Sequence, residues 1–110
     1  MSIDLNDDNF ASVLTSRDKP LLVLFTSSFC GPSHALYPLI DDAIEQEAGR
    51  RYDYAEIDVE KCPKMTREYQ IKGTPTLMFF DLGVPLASRA GTMSDEYFEQ
   101  FVTDALGKAS

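Results

Sequence analysis

The stretch Leu21-Leu22-Val23-Leu24-Phe25-Thr26-Ser27-Ser28-Phe29-Cys30-Gly31-Pro32-Ser33-His34 passes from a continuous apolar run into a polar, turn-forming one. An unbroken run from Leu21 to Phe25 reads as a strand buried on both faces, the pattern of a parallel sheet covered by helices. Thr26 to Gly31 reads as a loop. Pro32 suits the first turn of a helix, where a missing N–H costs nothing, and the pattern carries that helix to about Ala48. Leu36, Ile40, Ala43 and Ile44 share one of its faces, and Pro38 inside it predicts a kink. Cys30 therefore falls between a buried strand and a helix start. The thiolate is the nucleophilic form of cysteine, and free N–H groups at a helix N-terminus favour an anion. Gly31 permits a tight turn, and the Ser33 hydroxyl with the Ser33 and His34 N–H groups are candidate donors to the sulfur.

Outward from this stretch, strand and helix alternate. Asn6 to Arg17 carries the cap-type residues Asn6, Asp7 and Asp8, then Phe10, Val13 and Leu14 at helical spacing. Tyr54 to Val59 reads as a strand, and Pro63 opens a short helix ending near Tyr69. Thr76 to Phe80 is a further strand, Gly83 a turn, and Val84 to Arg89 a returning strand. Pro85 cannot donate to a ladder, so this last strand is predicted at the sheet edge. Ser94 caps a final helix with Phe98, Phe101, Val102 and Ala105 on one face. Ser2 to Leu5 is a candidate short first strand. The order predicts an α/β fold over residues 1–110, one domain, with a central mixed sheet flanked by helices on both faces and right-handed crossovers.

Composition narrows the function classes. The 110 residues carry a net charge of −8, two cysteines, one histidine and no tryptophan. The acidic balance argues against nucleic acid and anionic membranes as partners, since both are bound through basic residues. So few cysteines exclude a disulfide-rich scaffold, and no cofactor or metal site is expected. Leu21 to Phe25 is too short to span a bilayer. Met1 to Phe10 lacks the basic and apolar blocks of a secretory signal, so a cytoplasmic monomer is expected.

Cys30-Gly31-Pro32-Ser33 resembles the thioredoxin family, which has Cys-Gly-Pro-Cys there. The likeness extends to Pro38, to Asp58 through Glu60, to Gly73-Thr74-Pro75-Thr76, to the Gly83 turn and to Gly91, and so covers almost the whole chain. The resemblance implies the thioredoxin fold, a cis bond before Pro75, and thiol–disulfide exchange with Cys30 as nucleophile. It implies a substrate surface of Phe29, Gly31, Pro32, Val59, Thr74, Pro75, Ala90 and Gly91, on which an extended peptide adds to the Thr74 backbone. The implied partners are disulfide-containing proteins, with a reductase or glutathione as electron donor.

The chain departs from the family pattern in four places. Ser33 stands where the resolving cysteine belongs, so exchange should stop at the mixed disulfide unless another thiol resolves it. Two origins stay open, a natural monothiol variant and an engineered Cys→Ser trap. Leu24 replaces a buried aspartate, and Glu56 replaces the lysine partnered with it. Glu56 is either a substitute proton acceptor beneath Cys30 or an outward-facing or salt-bridged carboxylate. Thr26 and Phe29 replace two tryptophans, and Thr26 is expected to supply neither the packing nor the hydrogen bond of an indole. His34 reads as solvated surface in preference to a thiolate-stabilising cation. Cys62 is either a partly buried helix-start thiol or a regulatory or resolving one. The competing functional reading is a non-catalytic binding or chaperone-type module on the same fold.

Overall fold

A computed structural model describes residues 3–16, 18–28, 31–46 and 51–109, with Asp4 and Gln46 described by their backbone alone. The elements run β1 (Ile3–Asp4), α1 (Phe10–Thr15), β2 (Leu21–Thr26), a 3-10 helix (Gly31–Ala35), α2 (Tyr37–Gln46), β3 (Asp53–Asp58), α3 (Pro63–Glu68), β4 (Thr76–Asp81), β5 (Val84–Ala90) and α4 (Asp95–Lys108). The sheet order is β1-β3-β2-β4-β5. The pairs β1–β3 and β2–β3 are parallel, and β4 and β5 join antiparallel. The expected mixed sheet is therefore present, with β5 at its edge. Its ladder with β4 is irregular between Phe79 and Phe80, where Pro85 stands opposite Phe80. Proline lacks the N–H that a regular ladder needs.

Every residue of β2 is buried, because both faces of the central strand are covered. On one face Leu22, Leu24, Tyr54, Leu77 and Phe79 pack against Leu36 and Ile40 on the α2 side and Phe98, Phe101, Val102 and Ala105 of α4. On the other, Leu21, Val23, Phe25, Ile57 and Phe80 pack against Leu14 of α1 and Met65 of α3. Two-sided burial explains the unbroken apolar run: period-2 alternation vanishes when neither face meets water. Ser94 caps α4 as expected, its hydroxyl accepting from the Tyr97 N–H at 3.2 Å.

Two helices differ from the sequence reading. The first begins at Phe10, not Asn6. The Asn6 side chain accepts from the N–H groups of Asp8 and Asn9 at 2.9 and 3.1 Å, a local turn that competes with helix. Asp7 faces away, and its carboxylate accepts from the Lys64 and Met65 N–H groups, both at 3.0 Å. It thus satisfies donors at the start of α3 from 57 and 58 residues away in sequence. The predicted end of the first helix, Arg17, lies outside the described residues. Secondly, the helix from Pro32 to Ala48 is two pieces: the 3-10 turn Gly31–Ala35, then α2 from Tyr37. Pro38 is the second residue of α2 and not an interior kink. Its ring cannot follow a continuous α-helical turn, so the preceding residues tighten to i→i+3 bonding, with the Leu36 N–H on the Ser33 carbonyl at 3.0 Å. Ala48 lies outside the described residues.

Candidate functional site

The C-terminal end of β2 is the organising point. Thr26 is level with Asp58 of β3, and Phe25 is level with Thr76 of β4. The Val59 N–H donates to the Thr26 carbonyl at 2.8 Å. Thr76 pairs with Ala90, and the Gly91 N–H donates to the Pro75 carbonyl at 2.8 Å. Sheet register alone therefore carries Val59, Pro75, Ala90 and Gly91 to the end of the sheet from which the chain leaves towards Gly31. The Thr74–Pro75 peptide is cis. Gly31, Pro32 and Ala90 are exposed, while Val59, Thr74 and Gly91 are half-buried. Gly91 has φ of 89°, a left-handed conformation that glycine adopts without a Cβ penalty. Phe29 and Cys30 lie outside the described residues.

Ser33 is 1% exposed, although it lies within an otherwise exposed turn. Its hydroxyl accepts from the Thr26 hydroxyl at 2.6 Å. Thr26 is itself 9% exposed. This corrects the expectation for Thr26: it lacks the bulk of an indole but does supply a hydrogen bond to the motif. Sequence reasoning missed the pair because no periodicity links a strand-end threonine to a serine seven residues on. The available signal was a hydroxyl residue closing an otherwise apolar strand.

Asp58 is a second residue that the sequence did not single out for a role. Its carboxylate accepts from the Ser28 hydroxyl at 3.3 Å and from the Glu60 N–H at 2.9 Å, so it joins the segment before the motif to the turn after β3.

Glu56 lies on the α2 side of the sheet, level with Leu24. It is half-buried, and one carboxylate oxygen accepts from the Tyr54 hydroxyl at 3.0 Å. Burial pushes the Tyr54 phenol well above its ordinary range, and the charge of Glu56, their hydrogen bond, Tyr37 and Asp41 act in the same direction. Glu56 stands two residues, roughly 7 Å, down the sheet from the level of Thr26. His34 is exposed and meets the Tyr37 ring edge-on, with centroids 5.6 Å apart. Cys62 precedes α3 and is 3% exposed within the apolar cluster of the α1 and α3 face. Among the described residues no group of three or more His, Cys, Asp or Glu side chains is arranged to hold a metal ion. No described helix is long and apolar enough to cross a membrane.

Comparison with known proteins agrees with this geometry. The chain is 29% identical over 102 residues to a thioredoxin of Acidithiobacillus ferridurans, covering 93% of this chain and 94% of that one. It is 30% identical over 105 residues to a thioredoxin of Alicyclobacillus acidocaldarius, covering 96% and 98% of the two chains. It is 32% identical over 91 residues to a bifunctional thioredoxin reductase/thioredoxin of Mycobacterium leprae, spanning 83% of this chain but only 20% of that longer protein. The family profile described as Thioredoxin matches residues 1–104, and with a strand-end motif, a mixed sheet and a cis proline on one sheet end, this chain belongs to the thioredoxin family.

Proposed function

We propose that the protein performs thiol–disulfide exchange through Cys30, and that an external thiol completes each cycle because Ser33 cannot. The reading is supported by the sheet end at which register gathers Val59, Pro75, Ala90 and Gly91, and by the Thr26–Ser33 hydrogen bond that ties the Gly31–Ala35 turn to that end. An extended peptide laid along Thr74 would bring its disulfide to the motif by main-chain hydrogen bonding. The Cys30 thiolate attacks one substrate sulfur, forming a Cys30–substrate disulfide and releasing the other sulfur as a thiolate. A small thiol such as glutathione then attacks the Cys30 sulfur. The reduced substrate leaves, and a second small thiol frees Cys30. The sum is one substrate disulfide plus two thiols giving a dithiol plus one small-molecule disulfide.

A serine hydroxyl is far too weakly acidic to act as the resolving nucleophile, and Ser33 is buried and committed to Thr26. That commitment supports Ser33 as the native occupant: its hydroxyl has a matched partner at 2.6 Å. Glu56 is our candidate proton acceptor, supported by its half-burial and by the Tyr54 hydroxyl that orients it. The burial of Cys62 argues against a resolving role, since an attacking thiol needs access.

The test is mass spectrometry after incubation with oxidised glutathione or a disulfide-bonded protein. The expected result is one adduct on Cys30, absent in Cys30→Ala and released by excess reduced glutathione. Absence of any Cys30 adduct would remove the exchange reading and leave a binding module.

A further inference from the structure

We infer that the outer edge of β5, at Ser88 and Ala90, is a docking strand separate from the Thr74 backbone, and that its occupant is an extended acidic segment of a partner protein. β5 ends the sheet order, so no strand of the sheet lies beyond it. Its register with β4 pairs Thr76 with Ala90 and Met78 with Ser88. The Gly91 N–H donates to the Pro75 carbonyl at 2.8 Å, which makes that pair a hydrogen-bonded one. Antiparallel ladders alternate, so Arg89 and Ala87 also turn their main-chain groups to β4, and those of Ser88 and Ala90 point outward. Both residues are exposed. Further along, the ladder shifts between Phe79 and Phe80, and Pro85 supplies no donor. The open stretch is therefore short, which suits a segment of a few residues and opposes pairing of two whole β5 strands.

Cavities flank this stretch on both faces of the sheet. One, of about 400 Å³, lies between β5 and α4 and is lined by Ala87, Tyr97, Phe101 and Lys108. The other, of about 260 Å³, lies on the α3 side and is lined by Ile71, Lys72 and Met78. Ser88 lines both. Successive side chains of an added strand point to opposite faces, so two consecutive apolar residues would enter the two cavities. Tyr97 is 44% exposed, and the Arg89 guanidinium lies 4.7 Å from its ring centre. That stacking holds the ring beside the edge. The charges select an acidic partner. Lys72, Arg89 and Lys108 stand at this edge, whereas Asp104 is the one carboxylate among the described lining residues. Asp104 already accepts from the Gln100 side-chain amide at 2.8 Å. In a chain with 18 acidic and 10 basic residues this is a local reversal of sign. Asp or Glu on either side of the apolar pair would meet these cations.

The experiment selects cysteine-free heptapeptides from a phage-displayed library on the whole protein. The selected peptides are then synthesised with a fluorescein label and measured by fluorescence anisotropy. They should carry two adjacent apolar residues flanked by Asp or Glu, and amide shifts on binding should centre on Ser88 and Ala90. Methylating the backbone nitrogens of the apolar pair removes main-chain donors and should weaken binding about tenfold. Lys108→Glu should weaken it about fivefold, and Tyr97→Ala about tenfold. No enrichment, basic sequences, tolerance of backbone methylation or shifts confined to another face overturns the inference. A concentration-dependent dimer in sedimentation that Lys108→Glu abolishes would make a second copy the occupant, and also overturns it. The probes hold no cysteine, so their binding is independent of exchange. Failure of the exchange reading would appear differently, as a missing glutathione adduct on Cys30 with the anisotropy unchanged.

Discussion

Replacing Thr26 by valine keeps the shape of the side chain and removes one hydroxyl, yet it should destabilise the fold strongly. The Ser33 oxygen, 1% exposed, loses its donor at 2.6 Å. A buried polar atom stripped of its partner costs about 1–3 kcal/mol. A methyl group also replaces the oxygen at a separation suited only to a hydrogen bond, so Ser33 must shift, adding an overpacking cost. A loss of about 2–3 kcal/mol is expected, which for a chain of this size lowers Tm by roughly 10 °C. Ser33→Ala alone leaves the more accessible Thr26 hydroxyl unpaired and should cost about 1 kcal/mol. The double variant removes both polar atoms and relieves the crowding. Its cost should fall below the sum of the singles by about 1 kcal/mol or more, the signature of directly coupled residues. Urea unfolding of the four proteins, followed by circular dichroism, measures this cycle. A Thr26→Val loss under about 0.5 kcal/mol, or strict additivity of the two changes, would refute the reasoning.

Three further outcomes follow from other contacts. Burial holds the Tyr54 phenol above its ordinary value of 10.0, so its stabilisation is complete below that pH and is lost as pH rises beyond it. Unfolding free energy should fall by up to about 1.4 kcal/mol per pH unit there, and denaturant titrations of Tyr54→Phe should show a shallower alkaline slope. Asp7→Ala deprives the Lys64 and Met65 N–H groups of their acceptor and should cost about 1 kcal/mol, with faster amide hydrogen exchange at those positions. Gly83→Ala should cost about 1–2 kcal/mol, because φ is 85° and the added Cβ would lie 2.9 Å from Thr15 Cγ2; Thr15→Ser should recover the steric part in a thermal melt.

The layered fold was legible because burial leaves a pattern in the chain. Leu21 to Phe25 could be placed at the centre of a sheet, and Phe98, Phe101, Val102 and Ala105 on an inward helix face, since apolar spacing reports directly on which sides meet water. Pro85 marked β5 as an edge for an equally local reason. Helix starts were less legible. Asn6, Asp7 and Asp8 have the composition of a cap, but Asn6 closes a turn and Asp7 serves a different helix. A side-chain oxygen accepts from whichever N–H groups the fold delivers, and the sequence does not say which those are. Pro38 raised the same ambiguity, because a proline two residues into a helix and one at an interior kink read alike.

At the site, residue types and short-range spacing were sufficient to nominate Cys30-Gly31-Pro32-Ser33, since the requirement for a thiol at a strand-to-helix junction is itself local. The sheet register determined that Val59, Pro75, Ala90 and Gly91 share one end of the sheet with Thr26, the hydrogen-bond partner of Ser33, and those pairings join positions far apart in the chain. Only the tertiary structure could join Thr26 to Ser33 and Ser28 to Asp58. A hydrophobic pattern specifies which face a residue turns inward, with an energy spread over large areas. A hydrogen bond is decided within a few tenths of an ångström, and that distance is set when the packed elements come to rest.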